Sequence, residues 1–173
     1  MDAEPGALTV RDLRPDDWPA VRMIYEEGIR GANATFETET PSWERWHAAH
    51  PELRLVAERD GSVVGWAALS RASARRCYRG VGDVSVYVAE EARGAGLGRT
   101  LLDELVARSE RAGYWTLTAG VFPENEASIR LHKACGFREV GVRERLGELG
   151  GVWRDVIWLE RRSQVVGWDE RPR

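Results

Sequence analysis

The sequence predicts a single α/β domain built on a mixed, largely antiparallel sheet. Three observations carry that prediction. Segments of strand length and helix length follow one another without the strict strand–helix–strand alternation of a parallel sheet. Asp60-Gly61 lies between two apolar, β-branched runs, Leu53 to Glu58 and Ser62 to Leu69, which is the signature of a tight hairpin. A glycine-rich stretch, Arg93 to Gly98, separates an apolar strand from an amphipathic helix.

Taken in order, Ala7 to Arg11 reads as a first strand. Pro15-Asp16-Asp17 starts a helix, since a proline suits the first turn and acidic side chains suit its positive end. Trp18, Val21, Ile24, Tyr25 and Ile29 then recur at helical spacing. Pro41 to His50 reads as a second, short helix, ahead of the hairpin. Ser70 to Gly80 is a basic loop holding Arg71, Arg75, Arg76 and Arg79. Val81 to Val88 is a strand with Val84, Val86 and Val88 on one face and Asp83, Ser85 and Tyr87 on the other. After the glycine loop, Leu101, Leu102, Leu105 and Val106 share a helix face, and Gly113 ends that helix. Trp115 to Phe122 is a strand, Asn125 to Cys135 a helix, and further strands lie near Val140 and from Val152 to Glu160. The expected total is about six or seven strands flanked by about four helices. Residues 1–161 form the domain, and residues 162–173 have no clear period and read as a loosely ordered tail.

Composition narrows the function classes. At 173 residues the chain is long enough to bury a full core. A net charge of −3 argues against a nucleic-acid binder, which would show a basic balance or stripe. No apolar run approaches the ~18 residues of a membrane span, and the acidic start MDAEPGALTV lacks the form of a signal peptide. Cys77 and Cys135 make neither a metal-ligand spacing nor a disulfide framework, so no metal is expected and a reducing, cytoplasmic setting fits. The eight tryptophans read mostly as core or interface anchors.

The stretch Arg93-Gly94-Ala95-Gly96-Leu97-Gly98 has glycines at alternate positions, which lets a backbone turn tightly with its N–H groups inward. The helix from about Leu97 adds its positive end, so the pair suits a pyrophosphate, with Arg93 or Arg99 available for a further phosphate. A Walker loop would end in Gly-Lys-Ser/Thr, whereas this one ends Gly98-Arg99-Thr100. A dinucleotide fingerprint would place glycine at Arg99 and open directly from the strand, but Ala89 to Ala92 intervene. A glycine-rich turn without a ligand is the plain alternative.

Arg93-Gly94-x-Gly96-x-Gly98 ahead of a helix resembles the acetyl-CoA loop of the GNAT superfamily of N-acetyltransferases. Downstream, Asn125-x-x-Ser128-x-x-x-His132-x-x-x-Gly136-Phe137 resembles a second segment of that superfamily, with His132 where relatives carry tyrosine. Ile24-Tyr25, Ala34-Thr35-Phe36-Glu37, Val64-Gly65-Trp66-Ala67, Tyr78-Arg79, Ser85-Val86-Tyr87-Val88 and Trp153-x-Asp155-Val156 resemble its phosphinothricin and methionine-sulfoximine subgroup. The likeness runs from about Leu8 to Glu160. It departs at Asp83-Val84, where the subgroup usually has Glu-His, at Ser73, where arginine is common, and near Gly147-Glu148, where a basic residue is missing.

The resemblance implies a GNAT-like domain that moves an acetyl group directly from acetyl-CoA to the amine of a small amino-acid-like acceptor, and it implies a homodimer. It assigns Asp83 as general base, because an amine must lose its proton before attack. It assigns His132 as the proton donor to the departing thiolate. Asn125 and Ser128 would hold the pantetheine arm, although either also suits a helix start. Val86, Tyr87 and Val88 would pair with that arm as an added strand and polarise the thioester carbonyl. Arg75 and Arg79 would take the acceptor's acid groups, and Phe36 and Tyr78 would wall its pocket. Plainer readings stand beside these: Asp83 paired with Arg79, His132 packed on the sheet, the arginines solvated. Cys135 reads as a small buried hydrophobe. Acetylation of another amine (a polyamine, an aminoglycoside, a protein N-terminus) and a non-catalytic acyl-CoA-binding module are the competing functions. Like-charge repulsion from the arginine loop disfavours cationic acceptors.

Overall fold

The computed structural model describes residues 7–168. The start of the acidic N-terminal stretch, residues 1–6, and the end of the tail, residues 169–173, lie outside the described residues. Among the described residues, seven strands form one sheet in the order β1-β2-β3-β4-β5-β7-β6. They are β1 (Thr9–Asp12), β2 (Leu53–Arg59), β3 (Ser62–Arg71), β4 (Val81–Val88), β5 (Thr116–Val121), β6 (Arg138–Leu149) and β7 (Val152–Arg162). Four helices flank it: α1 (Trp18–Arg30), α2 (Trp43–Ala49), α3 (Leu97–Arg111) and α4 (Glu126–Ala134). Every strand pairing is antiparallel except β4 with β5. The expected mixed sheet is therefore the observed one.

The hairpin forms as its turn chemistry dictates. Asp60 (φ +52°) and Gly61 (φ +77°) are both left-handed, the twist that a two-residue turn between β2 and β3 requires. Leu97, Leu101, Leu102 and Leu105 of α3 are fully buried, each contributing roughly 1.5–3 kcal/mol by leaving water. Gly65 on β3 lets this helix come close, because a Cβ there would stand 2.9 Å from Leu101 Cδ1. The opposite face carries aromatic rings from α1, α2 and the sheet. Trp66 stacks on Tyr87 at 4.6 Å and meets Trp46 edge-on at 5.4 Å.

Two regions differ from the sequence reading. The strand expected near Val140 runs for 12 residues, and it lies at the sheet's edge with both faces largely exposed. It shows no burial period because neither face is covered. Its register shifts between Arg143 and Gly147, where Arg145 takes φ +45° and donates its N–H to Asp155 Oδ1 at 2.8 Å. The tail is not loose as far as Trp168. Ser163 N–H donates to Trp115 O at 2.9 Å, and its hydroxyl oxygen accepts from the N–H groups of Val165 and Val166. Arg162 Nη1 donates to Trp115 O and Val166 O, which folds the segment back on the start of β5.

Candidate active site

The parallel ladder between β4 and β5 has only three rungs: Val81↔Thr116, Gly82↔Leu117 and Asp83↔Thr118. Beyond Asp83 the two strands part, and a cavity of about 860 Å³ fills the fork. Val84 to Val88 line one side and Ala119 to Val121 the other. Ala89 N–H donates to Val64 O, so alternation turns the odd-numbered backbone groups of β4 toward β3. The backbone groups of Val84, Val86 and Val88 then face the fork, where no strand pairs with them. That is an open strand edge inside the molecule, ready for an extended ligand.

The glycine loop closes one end. Gly94 (φ +81°) and Gly96 (φ +78°) are left-handed, and a Cβ on either would meet nothing within 4 Å. Glycine is needed there for backbone conformation alone. Gly98, in the first turn of α3, is constrained differently: a Cβ would stand 3.1 Å from Leu131 Cδ2 of α4. Gly96 caps α3 without a side chain, so nothing from the cap residue satisfies the first N–H groups of that helix. Arg93, Gly94, Gly96, Leu97, Gly98 and Arg99 line the cavity, whereas Ala95 is exposed and does not. Arg93 Nε donates to Val88 O at 3.1 Å, and exposed Arg99 stands 3.5 Å from Asp103.

On α4, Asn125 is an N-cap whose Oδ1 accepts from Ser128 N–H at 3.2 Å. Its Nδ2 donates to Asn33 O at 3.0 Å, tying α4 to the loop after α1. Asn125, which caps the helix, and Ser128 both line the cavity. His132 lines it too and is 4% exposed. Its Nδ1 is 2.8 Å from Ser128 O. A carbonyl can only accept, so Nδ1 carries the ring proton. Nε2 is then a bare lone pair, buried and, among the described residues, without a partner. Burial pushes the ring below the ordinary imidazole range, with the Ser128 bond opposing. With Nδ1 donating to Ser128 O, the neutral ring has its lone pair on Nε2.

Asp83 does not line the cavity but stands on the rung that closes the fork. The sequence offered Arg79 as its partner, but the structure gives it the Thr118 hydroxyl, a bond to Oδ1. Arg79 instead lies over the Trp115 ring at 5.2 Å. Burial raises the Asp83 carboxyl above the usual range, and the Thr118 bond lowers it in part.

At the other end Phe36 meets Phe122 edge-on at 4.8 Å and packs against Gly147, where a Cβ would be 2.8 Å from the ring. Phe36 lines the cavity, but Arg75, Tyr78 and Arg79 do not. Arg75 and Arg79 border a separate cavity of about 700 Å³ beside Tyr114 and Trp115, and Arg75 lies over Tyr78 at 5.5 Å. The basic loop is anchored at the closed end of the β4–β5 ladder, which holds it away from the fork. The sequence reading missed Thr118, Asn33 and Arg154. Thr118 left one trace, a second threonine at alternate spacing after Thr116 in a strand otherwise without polar side chains.

A forked sheet with an open strand edge and a glycine loop at a helix start defines an acyl-CoA-dependent transferase. The Acetyltransferase (GNAT) family profile matches residues 9–137, and the chain belongs to that family. It is an acetyl-CoA-dependent N-acetyltransferase. The sequence is 40% identical over 162 residues to a phosphinothricin N-acetyltransferase of Alcaligenes faecalis, covering 90% of this chain and 82% of that protein. It is 30% identical over 163 residues to an L-methionine sulfoximine/L-methionine sulfone acetyltransferase of Pseudomonas aeruginosa, covering 89% and 94%. The fold matches the crystal structure of a GNAT superfamily phosphinothricin acetyltransferase from Sinorhizobium meliloti in complex with AcCoA. There the TM-score is 0.84 and the identity 31%, over 96% of this chain and 93% of that one. The residues present fit acetyl-CoA: a left-handed glycine cradle and an unpaired strand edge share one cavity with Asn125 and Ser128.

Proposed function

We propose that this enzyme acetylates the amine of a small amino-acid-like acceptor such as phosphinothricin or methionine sulfoximine. One observation carries the reading: a single cavity runs from the glycine loop, through the fork, to the Phe36–Phe122 wall. The names of the two relatives support the acceptor class. Acetylating such an analogue would mask its amine, consistent with a resistance role.

Acetyl-CoA supplies the activated acetyl thioester. The loop from Arg93 to Arg99 and the start of α3 hold its phosphates, with Ala95 contributing backbone only. The β4 edge at Val86 and Val88 holds its arm, beside Tyr87, Asn125 and Ser128. Asp83 takes the proton from the acceptor ammonium through a water that spans from the closing rung into the fork. Its raised proton affinity suits a base working on an amine. As the neutral amine bonds to the thioester carbon and the C–S bond breaks, the second amine proton would pass to the CoA sulfur, beside the His132 ring that lines the same cavity. Phe36 walls the acceptor end. Arg75 and Arg79 border the neighbouring cavity and Tyr78 lies under Arg75, so these three would act on acceptor selectivity from outside the fork.

A homodimer is proposed on a specific surface. Edge strand β6 and its partner β7 expose Val142 (52%) and Trp153 (59%), a pattern that isolated edges avoid. Both cysteines are free, as in a reducing cytoplasm.

Thiol release from acetyl-CoA, followed across acidic amino-acid analogues, polyamines, aminoglycosides and alanine-ended peptides, tests the acceptor. Fastest turnover with the acidic analogues is expected. Turnover confined to polyamines or peptides would overturn the acceptor class.

A further inference from the structure

We propose that Thr118 is a positioning residue that fixes the Asp83 carboxylate at the apex of the fork, leaving Oδ2 as the oxygen that takes the proton. This rests on the reading of Asp83 as base.

The two residues share the last rung of the parallel ladder, so their side chains stand on the same face of the sheet. Neighbouring strands lie ~4.8 Å apart, close enough for a short hydroxyl to reach a short carboxylate. One residue further, the chains diverge, and Val84 and Ala119 line the cavity. A pair one rung earlier would face Leu117 and could not reach the opening, and a pair one rung later would have no strand partner across the gap.

Thr118 is 6% exposed, and its β-branched side chain has few allowed rotamers on a strand. Its hydroxyl has one proton and two acceptors in view, Gly82 O at 3.4 Å and the nearer Asp83 Oδ1. The nearer, charged acceptor takes it. Among the described residues Asp83 has no ion pair, and Ser70, its partner on β3, donates to its backbone carbonyl and not to its carboxylate. Charged groups on the flanking strands are committed elsewhere. Glu160, paired with Thr118 across β7, is held by Arg138 at 2.7 Å, and Arg71 is held by Glu52 at 2.7 Å.

The choice of a hydroxyl matters chemically. An arginine partner would hold the carboxylate well below the ordinary range and remove its use as a base. A hydroxyl orients Oδ1 with a milder pull, so burial still dominates and the carboxylate keeps a raised proton affinity. Orientation is thereby gained without quenching the base.

The test is a ¹³C NMR titration of the Asp83 side-chain carboxyl in the free protein, for wild type, Thr118→Val and Thr118→Ser, alongside pH profiles of kcat/KM. In Thr118→Val the midpoint of Asp83 is expected to rise, and the acid limb of the profile to move to higher pH with it. Turnover below neutral pH is expected to fall roughly tenfold, with KM for acetyl-CoA unchanged. Thr118→Ser is expected to restore both. Thr118→Ala serves as the second variant if valine prevents folding. An Asp83 midpoint and acid limb unmoved in the folded variants would overturn the proposal. An acid limb that persists in Asp83→Asn would instead overturn Asp83 as base, while the NMR arm still reports on Thr118 alone.

Discussion

The Arg154 guanidinium lies over the Phe122 ring, 4.1 Å from its centroid, and from there fastens the loop that walls the cavity. Its Nη2 donates to Glu124 Oε2 at 3.0 Å and to Asn33 Oδ1 at 3.5 Å, and its Nη1 to Ala32 O at 3.3 Å. Phe122 in turn supports Phe36. A residue on β7 thus braces the wall through a ring on one side and backbone on the other.

Removing this brace in Arg154→Ala is expected to cost about 0.5–2 kcal/mol of stability, because the Phe122 ring loses its cation. The acceptor KM should rise several-fold while that of acetyl-CoA stays near wild type. Urea unfolding with two-substrate kinetics measures both, and unchanged values would show that the contacts hold nothing in place.

Gly96 and Gly98 should respond to alanine in different ways. Gly96→Ala forces a side chain into φ +78° and is expected to cost about 1–2 kcal/mol, although the space around it is open. Gly98→Ala gains helix propensity of up to ~1 kcal/mol and loses to crowding by Leu131, so its stability should change little. Both should weaken acetyl-CoA binding. Calorimetric titration and thermal melts of the two variants separate the causes. Equal melting losses would contradict the distinction between conformation and crowding.

Burial holds His132 and His50 below the ordinary imidazole value of 6.5. Below that value the unfolded chain binds protons that the folded chain still refuses. The stability these rings permit is therefore fully present above 6.5 and lost as pH falls from there toward the folded values. His132→Phe should flatten the fall in urea-unfolding free energy between about pH 8 and about pH 5.5. An identical slope in wild type and variant would mean that the ring protonates freely in the fold.

Cys135 is buried, and its thiol is pushed up to about 12, first by desolvation and then by the Asp103 carboxylate. Cys77 is exposed. Alkylation of the native enzyme should label Cys77 alone, with Cys135 reacting only after unfolding, and Cys135→Ala should keep its turnover. Rapid native labelling of Cys135 with loss of activity would place it in the chemistry after all.

Much of the site was legible because it is local. The hairpin at Asp60-Gly61, the strand from Val81 to Val88 and the helix start at Leu97 each depend on neighbours within a few residues. Cross-strand facts were not. Nothing in the order of residues reveals that β4 and β5 pair for three rungs and then separate, since that depends on which strands lie side by side. The full length of β6 was not legible either, because exposure of both faces leaves no alternation to mark its ends.

The sequence by itself determined the element order and the glycine cradle, because backbone conformation and amphipathic period are short-range properties, and its resemblance to the GNAT superfamily supplied Asp83, His132, Asn125 and Ser128 as candidates. Only the tertiary structure decided their partners. Packing moved Arg79 onto Trp115 and gave Asp83 to Thr118. It also set the His132 proton on Nδ1 by placing Ser128 O against it. The protonation and partner of a side chain depend on burial and on which groups come within ~3 Å, and the folded chain alone fixes those distances.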